Sequence, residues 1–380
     1  VYGVLNAVGT ESDSVRFMPD IALEWGGIAF DSPDSSTISY ARVSGGNAQG
    51  SWPDGYGGGI AVRNAGGVGI SHTVIRDNAA DVHGGGLAVL GNAVTLDEVT
   101  VAYNDAGQYG GGIFMDSGAM LVGTAVAVSE NTASNQGGGI CNLESHIELK
   151  GSIINANSVS AGLGGGLYSL GLVGDTVILT DTEVSGNTAT QSGGGLYNEG
   201  DDFLLTRVNI IANGATNSGG GLYNNAGHVE MTESLVTDNW TDSFDGGGIY
   251  STLGVSTLIL DRTTVARNSA GGTGGGIYAL NETVDIENSI IWANAGTGLE
   301  MMGGTVAATY SDIQGDTVWT GTGNINADPL FVDSLSGDYA LQAGSPCIDA
   351  GDPASSLDPD GTRADMGALP ATQNTIAGTI

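Results

Sequence analysis

Positive charge is scarce in this sequence. One lysine, Lys150, and eight arginines stand against 42 acidic residues, and the formal net charge is −33. A surface this acidic repels the phosphates of nucleic acids and the headgroups of anionic lipids, so both are excluded as partners. The same charge favours solubility and leaves many carboxylates free to meet divalent cations.

Long apolar runs and cysteines are scarce as well. No apolar run approaches the roughly 18 residues that a membrane helix requires, and no segment has the pattern of a signal peptide. The only cysteines are Cys141 and Cys347. In the stacked repeat described below they are separated by seven to eight turns, on the order of 35 Å, whereas a disulfide requires Cα atoms within about 7 Å. We therefore expect two free thiols, unless the C-terminal segment folds back.

Glycine, by contrast, is abundant at 66 residues, more than twice its usual share. Much of it occurs as triplets that recur every 26 to 29 residues, beginning at Gly57, Gly84, Gly110, Gly137, Gly164, Gly193, Gly219, Gly246 and Gly274. A fixed period of this length is typical of a solenoid.

Each copy of the repeat has the same internal order. An Ile or Leu follows the triplet, and the next position is aromatic from Tyr168 onward. Two further short runs rich in Val, Ile, Leu and Thr follow, separated by turns. The last run ends in asparagine, at Asn78, Asn104, Asn131, Asn157, Asn187, Asn213, Asn239, Asn268 and Asn294. Short β-type runs between Gly, Asn and Asp indicate strands and turns rather than helices.

These patterns predict an all-β fold, a right-handed parallel β-helix of about twelve turns with roughly 27 residues and three short strands per turn. The glycine triplets and the asparagines are expected to form two stacked corners, where the backbone needs positive φ and asparagine amides bond from turn to turn. The Ile/Leu column should point inward and the tyrosine column outward. We divide the chain into degenerate first turns with an uncapped start (1–56), regular repeats (57–302), and last turns with a cap and tail (303–380).

Two stretches resemble known families. The pairing of "GGGIY" or "GGGLYN" with "VxxN", over about Gly26–Gly304, resembles the repeats of polymorphic outer-membrane proteins and related bacterial surface β-helices. The segment Gly323–Ala368 is similar to the end of secreted bacterial β-helix proteins, where it precedes a choice-of-anchor sorting tail. In the sequence given, Pro370 is followed by "ATQNTIAGTI", which does not have the expected pattern of that tail. The resemblance implies a right-handed β-helix, export, and a location outside the cell or at its surface.

Residues for catalysis are not evident. The arginines are scattered along the chain, without the cluster beside acids that calcium-dependent pectate cleavage uses. "GDD" at Gly200–Asp202 matches part of a polygalacturonase motif but lacks its His and Arg/Lys partners, so a solvated turn is the better interpretation. Four histidines occupy different columns of the repeat, which favours separate surface or turn positions: His72, His83, His146 and His228.

The best metal candidate is the run "DPDGTRAD" with an aspartate just before it. Asp–x–Asp–Gly places two carboxylates on one tight turn, which suits Ca²⁺. The predicted ligands are Asp352, Asp358, Asp360 and Asp365. The run is shorter than an EF-hand loop and lacks its final glutamate, and a plain Asp-rich turn is a slightly better interpretation.

Two functions remain open. The favoured one is a non-enzymatic extracellular structural protein, a rigid rod that assembles head to tail into filaments or acts as an adhesin. An open first turn exposes unpaired N–H and C=O groups, on which we expect the C-terminal end of another copy, with its alternating tail "NTIAGTI", to dock. The alternative is a polysaccharide lyase or glycoside hydrolase on the same scaffold. Contact with polysaccharide or a cell surface is expected in either case.

Overall fold

The computed structural model describes residues 3–20, 25–51, 54–171, 175–252 and 257–371. They form a right-handed parallel β-helix of about eleven turns, which confirms the predicted fold class. Three parallel sheets run along the axis, each built from equivalent strands of successive turns. The tail "NTIAGTI", on which the docking prediction relies, lies outside the described residues.

Sheet 1 contains two strands from each regular turn. They lie on either side of a bend and merge into one 11-residue strand in the last two turns. Its strands are Asn6–Val8, Ile28–Phe30, Ser36–Ser39, Ile60–Arg63, Val68–Ser71, Leu87–Leu90, Ala93–Asp97, Ile113–Asp116, Met120–Thr124, Ile140–Leu143, His146–Lys150, Leu167–Leu170, Thr176–Thr180, Leu196–Glu199, Asp202–Thr206, Leu222–Asn225, His228–Thr232, Ile249–Thr252, Thr257–Asp261, Ile277–Glu287 and Leu299–Thr309.

Sheet 2 takes the strand before each asparagine, and sheet 3 takes a two-residue strand after it, which was not predicted. Sheet 2 comprises Val15–Phe17, Ala41–Ser44, Val74–Arg76, Thr100–Ala102, Ala127–Ser129, Ile153–Asn155, Glu183–Ser185, Asn209–Ile211, Leu235–Thr237, Thr264–Ala266, Ile290–Trp292 and Asp312–Ile313. Sheet 3 comprises Asn47–Ala48, Ala79–Ala80, Asp105–Ala106, Thr132–Ala133, Ser158–Val159, Thr188–Ala189, Gly214–Ala215 and Trp240–Thr241.

The triplet that begins at Gly84 shows why three glycines are needed. Gly84 has φ +67°, and a Cβ on Gly85 would lie 2.4 Å from the carbonyl oxygen of Asp105. A Cβ on Gly86 would lie 2.7 Å from the carbonyl oxygen of Gly112 on the next turn. Positive φ and two close backbone contacts therefore exclude side chains at three consecutive positions.

The asparagines form the predicted ladder, but not through their own positive φ. Asn131 Nδ2, for example, donates to Asn157 Oδ1 of the next turn at 2.9 Å, and Asn131 is fully buried. The left-handed conformation belongs to the residue before each asparagine, such as Glu130 with φ +53°. Each amide satisfies buried groups of the neighbouring turns, so the column is a hydrogen-bonding element rather than a source of the bend.

The Ile/Leu column and the tyrosine column separate as predicted. The nine Ile/Leu residues after the triplets are all fully buried in the main core. The next residue lies outside that core, where five tyrosine rings stack at 4.8–5.2 Å between centroids: Tyr168, Tyr197, Tyr223, Tyr250 and Tyr278. The rings fill a trough beside sheet 1, and Tyr168 is only 3 % exposed.

The C-terminal segment folds back along the solenoid. An antiparallel hairpin, Phe331–Asp333 and Asp338–Leu341, encloses the 3₁₀ turn Ser334–Ser336. The hydroxyl of Tyr339 donates to Asp238 at 3.0 Å, and the N–H of Ala368 donates to Thr264 Oγ1 at 3.0 Å. These contacts lay residues 331–371 across the outer face of sheet 2 rather than only over its last turn.

Candidate functional site

Only part of the outer face of sheet 2 is covered. The turns from Leu235–Thr237 onward lie beneath the C-terminal segment, and Leu235 is 7 % exposed. Among the residues that the structure describes, none of the C-terminal segment lies over the strands from Val15–Phe17 to Asn209–Ile211, and Ile153 among them is 42 % exposed. These eight strands form what we call the open lane, about 34 Å long at roughly 4.8 Å per turn.

Three arginines meet at the N-terminal end of the open lane. Arg16 and Arg42 pair directly on neighbouring turns, and Arg76 pairs with Ser44, two residues along the strand from Arg42. They border a groove of about 1010 Å³ together with residues of the adjoining turns. The prediction that the arginines are scattered is therefore wrong at this place, which we call the arginine cluster.

The arginine cluster is tied to its surroundings by charge and by an aromatic ring. Asp77 lies between two of its members, 3.5 Å from Nη2 of Arg42 and 2.8 Å from Nε of Arg76. The guanidinium of Arg76 also lies 4.7 Å from the ring centroid of Tyr103, a cation–π distance. The Arg42 side chain is 43 % exposed, so its guanidinium remains accessible from the groove.

His72 borders the same groove. It occupies the turn before the strand Val74–Arg76, in the left-handed region with φ +47°, as Tyr40 does one turn earlier with φ +48°. The two rings lie 4.4 Å apart, and Nε2 of His72 is 3.7 Å from the carboxylate of Glu98. A surface or turn position was predicted for this histidine. That it lies close to three arginines was not predicted.

The other histidines have structural surroundings. A surface or turn position was predicted for His83. It is 7 % exposed and lies between aromatic rings, so it is not on the surface, and burial lowers its pKa to about 4. His146 and His228 each contact a threonine of the next turn through Nδ1, at 2.5 Å in both cases. None of these three lies on the open lane.

A ladder of alternating charge marks the opposite end of the lane. Arg207 lies 2.5 Å from Asp181 and 3.6 Å from Glu233, and Arg262 lies 3.4 Å from Glu233. The hydrogen bond from Arg207 lowers the pKa of Asp181. Each arginine has an acidic residue on its own or a neighbouring turn, so the positive charges of this group are balanced within it.

The "GDD" stretch is not a solvated turn. Asp201 is fully buried, its carboxylate accepts a hydrogen bond from Ser169, and Oδ1 has no hydrogen-bond partner among the described residues. Burial raises its pKa to about 7. Asp202 beside it is exposed at the start of a strand of sheet 1. The pair therefore does not present two carboxylates to one ligand.

The predicted calcium ligands Asp352, Asp358, Asp360 and Asp365 belong to the folded-back segment. Oδ2 of Asp358 accepts from the N–H of Asp365 at 2.8 Å, and the two oxygens of Asp365 accept from backbone N–H groups of Asp349 and Ala371. Burial raises the pKa of both carboxyls. In the part of the chain that the structure describes, no three acidic, histidine or cysteine side chains are arranged to hold a metal ion. Calcium binding stays a prediction.

Both cysteines are free thiols, as predicted, and both are buried. The C-terminal segment does fold back, but it brings Cys347 to Asp312, 3.3 Å from Oδ2, and not to Cys141. Burial raises the pKa of both thiols, so neither resembles a reactive cysteine. Among the described residues there is also no α-helix that could span a bilayer.

Comparison with known proteins agrees with this architecture. Residues 169–318 match the model of a family described as a right handed beta helix region. Over 97 % of both chains, the structure is similar to the crystal structure of pectate lyase Pel9A, with a TM-score of 0.50 and 13 % sequence identity. No similar protein is found among curated sequences.

This similarity overturns the expectation that the chain is not an enzyme. Across nearly its whole length, the solenoid matches that of a protein named as a lyase. At 13 % identity the likeness shows the fold alone. The specific surface-protein repeats and the anchor region remain resemblances.

Proposed function

We propose that this protein binds an acidic polysaccharide along the open lane and cleaves it at the arginine cluster. The observation that carries the proposal is the cluster itself. Three of only nine basic residues lie on three successive turns around one groove, in a chain with a net charge of −33. Elsewhere the acidic surface repels a polyanion, so these guanidinium groups offer it a defined place of attachment.

The shape of the lane also supports a polymeric ligand. Its turns repeat about every 4.8 Å, and the folded-back segment bounds it at the C-terminal end. Pectate, on which the structurally similar enzyme acts by its name, is a polymer of uronic acids and so carries a carboxylate on each sugar. Such a chain would present regularly spaced anions to regularly spaced turns. The proposal includes the location predicted from the sequence, outside the cell or at its surface.

The chemistry proposed is elimination. A base removes the proton on the carbon next to the uronate carboxylate, and the electrons of that C–H bond form a carbon–carbon double bond. The bond from the neighbouring carbon to the glycosidic oxygen breaks, and the departing oxygen takes up a proton from water to become the hydroxyl group of the other fragment. Arg16 and Arg42 would bind the carboxylate and stabilise the negative charge that develops on it. His72 is the candidate base, because an imidazole nitrogen can accept a proton and this histidine borders the groove.

The test is a cleavage assay on polygalacturonate, alginate and other uronate polymers, with Ca²⁺ and with a chelator. Ultraviolet absorbance of the unsaturated product reports elimination, and affinity electrophoresis reports binding. We expect Arg42→Ala to weaken binding about 5- to 30-fold, from roughly 1–2 kcal/mol for one partly exposed charged hydrogen bond. Lys150→Ala removes the same charge from an exposed position on sheet 1 and should change nothing.

Each outcome bears on a different part of the proposal. Binding without cleavage by any variant would reject the reaction and keep the lane as a binding surface. Equal losses in Arg42→Ala and Lys150→Ala would mean that net charge alone attracts the polymer, and the cluster would lose its assigned role. No binding to any uronate polymer would refute the proposal as a whole.

A further inference from the structure

A strip without charge lies on a different side of the solenoid from the open lane, on the outer face of sheet 3. Four successive turns build it, with residues 132–136, 158–163, 188–192 and 214–218. None of these residues is charged, although the chain has 42 acidic and nine basic residues. Asp105 pairs with Thr132 at one end, and Asp242 and Asp245 follow at the other. We call this surface the hydroxyl strip, after the side chains that it presents.

Serine and threonine side chains form two columns on the hydroxyl strip. The first column consists of residues that pair directly on successive turns, and the second lies two residues further along the chain. Their members are Thr132, Ser158 and Thr188 in the first column, and Ser160, Thr190 and Thr216 in the second. The residues between the two columns are buried, as Ala189 is at 4 % exposure, so the hydroxyls face outward. Hydroxyl groups therefore recur about every 4.8 Å along the axis.

The indole of Trp240 completes the hydroxyl strip at its C-terminal end. Gly214 follows Thr188 in the first column and pairs with Trp240 on the next turn. A Cβ on Gly214 would lie 2.1 to 2.7 Å from three atoms of the indole, so the ring lies over this glycine. Trp240 is nevertheless 38 % exposed. An accessible aromatic surface therefore takes the place of a hydroxyl beside Thr188.

This combination of groups suits a ligand that has both hydroxyls and apolar C–H surfaces. A sugar ring can lay a C–H face on an aromatic ring, and its hydroxyls can both donate to and accept from serine and threonine. Each protein hydroxyl has one donor and two acceptor lone pairs. A hydroxyl that already has a partner, as Thr132 has in the carboxylate of Asp105, can therefore still accept from a ligand.

We propose that the hydroxyl strip binds a neutral glycan, with the sugar chain along the axis and one ring on Trp240. The repeat of an extended chain of hexoses is close to the spacing of the turns, so successive sugars would meet successive hydroxyls. A uronate polymer is disfavoured, because the four segments of the strip contain no basic residue and the chain carries a net charge of −33. A second copy of the chain is disfavoured by the same charge. The proposal does not depend on cleavage at the arginine cluster.

The test is affinity electrophoresis in mixed-linkage glucan, glucomannan and galactan, with polygalacturonate as the charged comparison. We expect Trp240→Ala to weaken binding of a neutral glycan about tenfold, because a buried aromatic contact is lost, and Trp240→Phe to keep most of it. Thr188→Asp places a charge in the middle of the strip at an exposed position and should weaken binding to a similar extent. Thr124→Asp makes the same change at an exposed position on sheet 1 and should bind as the unsubstituted protein does. Circular dichroism checks the folding of each variant.

The results separate the hydroxyl strip from the open lane. Neutral-glycan binding that is weakened in Trp240→Ala and Thr188→Asp, and kept in Thr124→Asp and Arg42→Ala, supports the proposal whether or not uronate polymers bind. Undiminished binding in Trp240→Ala or Thr188→Asp, equal losses in Thr188→Asp and Thr124→Asp, or no binding of any neutral glycan would overturn it. Polygalacturonate binding that disappears in Thr188→Asp would assign an acidic ligand to the strip instead. Dimerisation that disappears in the same variant, measured by sedimentation, would assign a second copy, and either result would also overturn the proposal.

Discussion

The buried carboxyl of Asp201 makes a specific prediction about stability and pH. It is fully buried, its pKa is raised to about 7 by burial, and its Oδ1 has no hydrogen-bond partner among the described residues. We predict that Asp201→Asn stabilises the protein at alkaline pH, because the amide keeps the shape and can donate to Ser169 without carrying a charge. The exposed neighbour Asp202, changed to asparagine, is the matched control.

The magnitude follows from the pKa difference. An aspartate in the unfolded chain titrates near 3.9, about three pKa units below the folded value, and each unit corresponds to about 1.4 kcal/mol. Below about pH 4 both states are protonated and the carboxyl imposes no electrostatic cost. Between about pH 4 and 7 the unfolded state loses its proton first, so stability falls as the pH rises. Above pH 7 the cost reaches its full value, at most about 4 kcal/mol.

Unfolding is followed by circular dichroism at pH 4.5 and pH 8.5. At pH 8.5 Asp201→Asn should raise the midpoint by up to about 5 °C, on the basis of about 2.1 cal/mol/K of unfolding entropy per residue. At pH 4.5 the difference should largely vanish. Equal midpoints at pH 8.5, or the same gain in Asp202→Asn, would refute the reasoning, since the effect would then be absent or would reflect net charge alone.

Three further predictions test the repeat and the thiols. Asn157→Ala removes an amide that bonds to Asn187 and to the carbonyl of Val128, and should lower the free energy of unfolding by about 2–4 kcal/mol in denaturant titration; an unchanged midpoint would contradict the role of the ladder. Gly138→Ala places a Cβ 2.5 Å from a backbone oxygen, so poor folding or a loss above about 3 kcal/mol is expected by circular dichroism, and a wild-type melting curve would contradict it. A thiol reagent should label neither cysteine in the native protein and both after unfolding; rapid native labelling would show that the buried thiols are accessible.

Much of the fold could be predicted because the same local backbone requirements recur on every regular turn. The close contacts at Gly84–Gly86 and the amide bonds at Asn131 recur on each regular turn, so the period alone reveals them. The two-residue strands of sheet 3 were missed because segments such as Ala79–Ala80 are too short to show a pattern. Asparagine was predicted to have positive φ because it tolerates the left-handed region. In the structure the residue before each asparagine has the positive φ, and the asparagine amide bonds to the next turn.

The candidate sites could not be predicted in the same way. Arg16, Arg42 and Arg76 are separated by 26 and 34 residues. They meet only because loops of unequal length bring their strands into register, and comparing positions within the repeat would have revealed the pairing of the first two. Asp201 shows the same difficulty. It was predicted to lie in a solvated turn, but its burial depends on the turns above and below it.

The coil and its glycine and asparagine columns thus follow from the chemistry of one turn, since parallel stacking imposes the same backbone geometry and the same unsatisfied groups on every copy. The tertiary structure decided what is not repeated. It laid the C-terminal segment over one half of sheet 2 and left the other half open, through single contacts such as Tyr339 with Asp238. Such features depend on which side chains lie at the same height on different turns, and that is settled by long-range packing rather than by local preference.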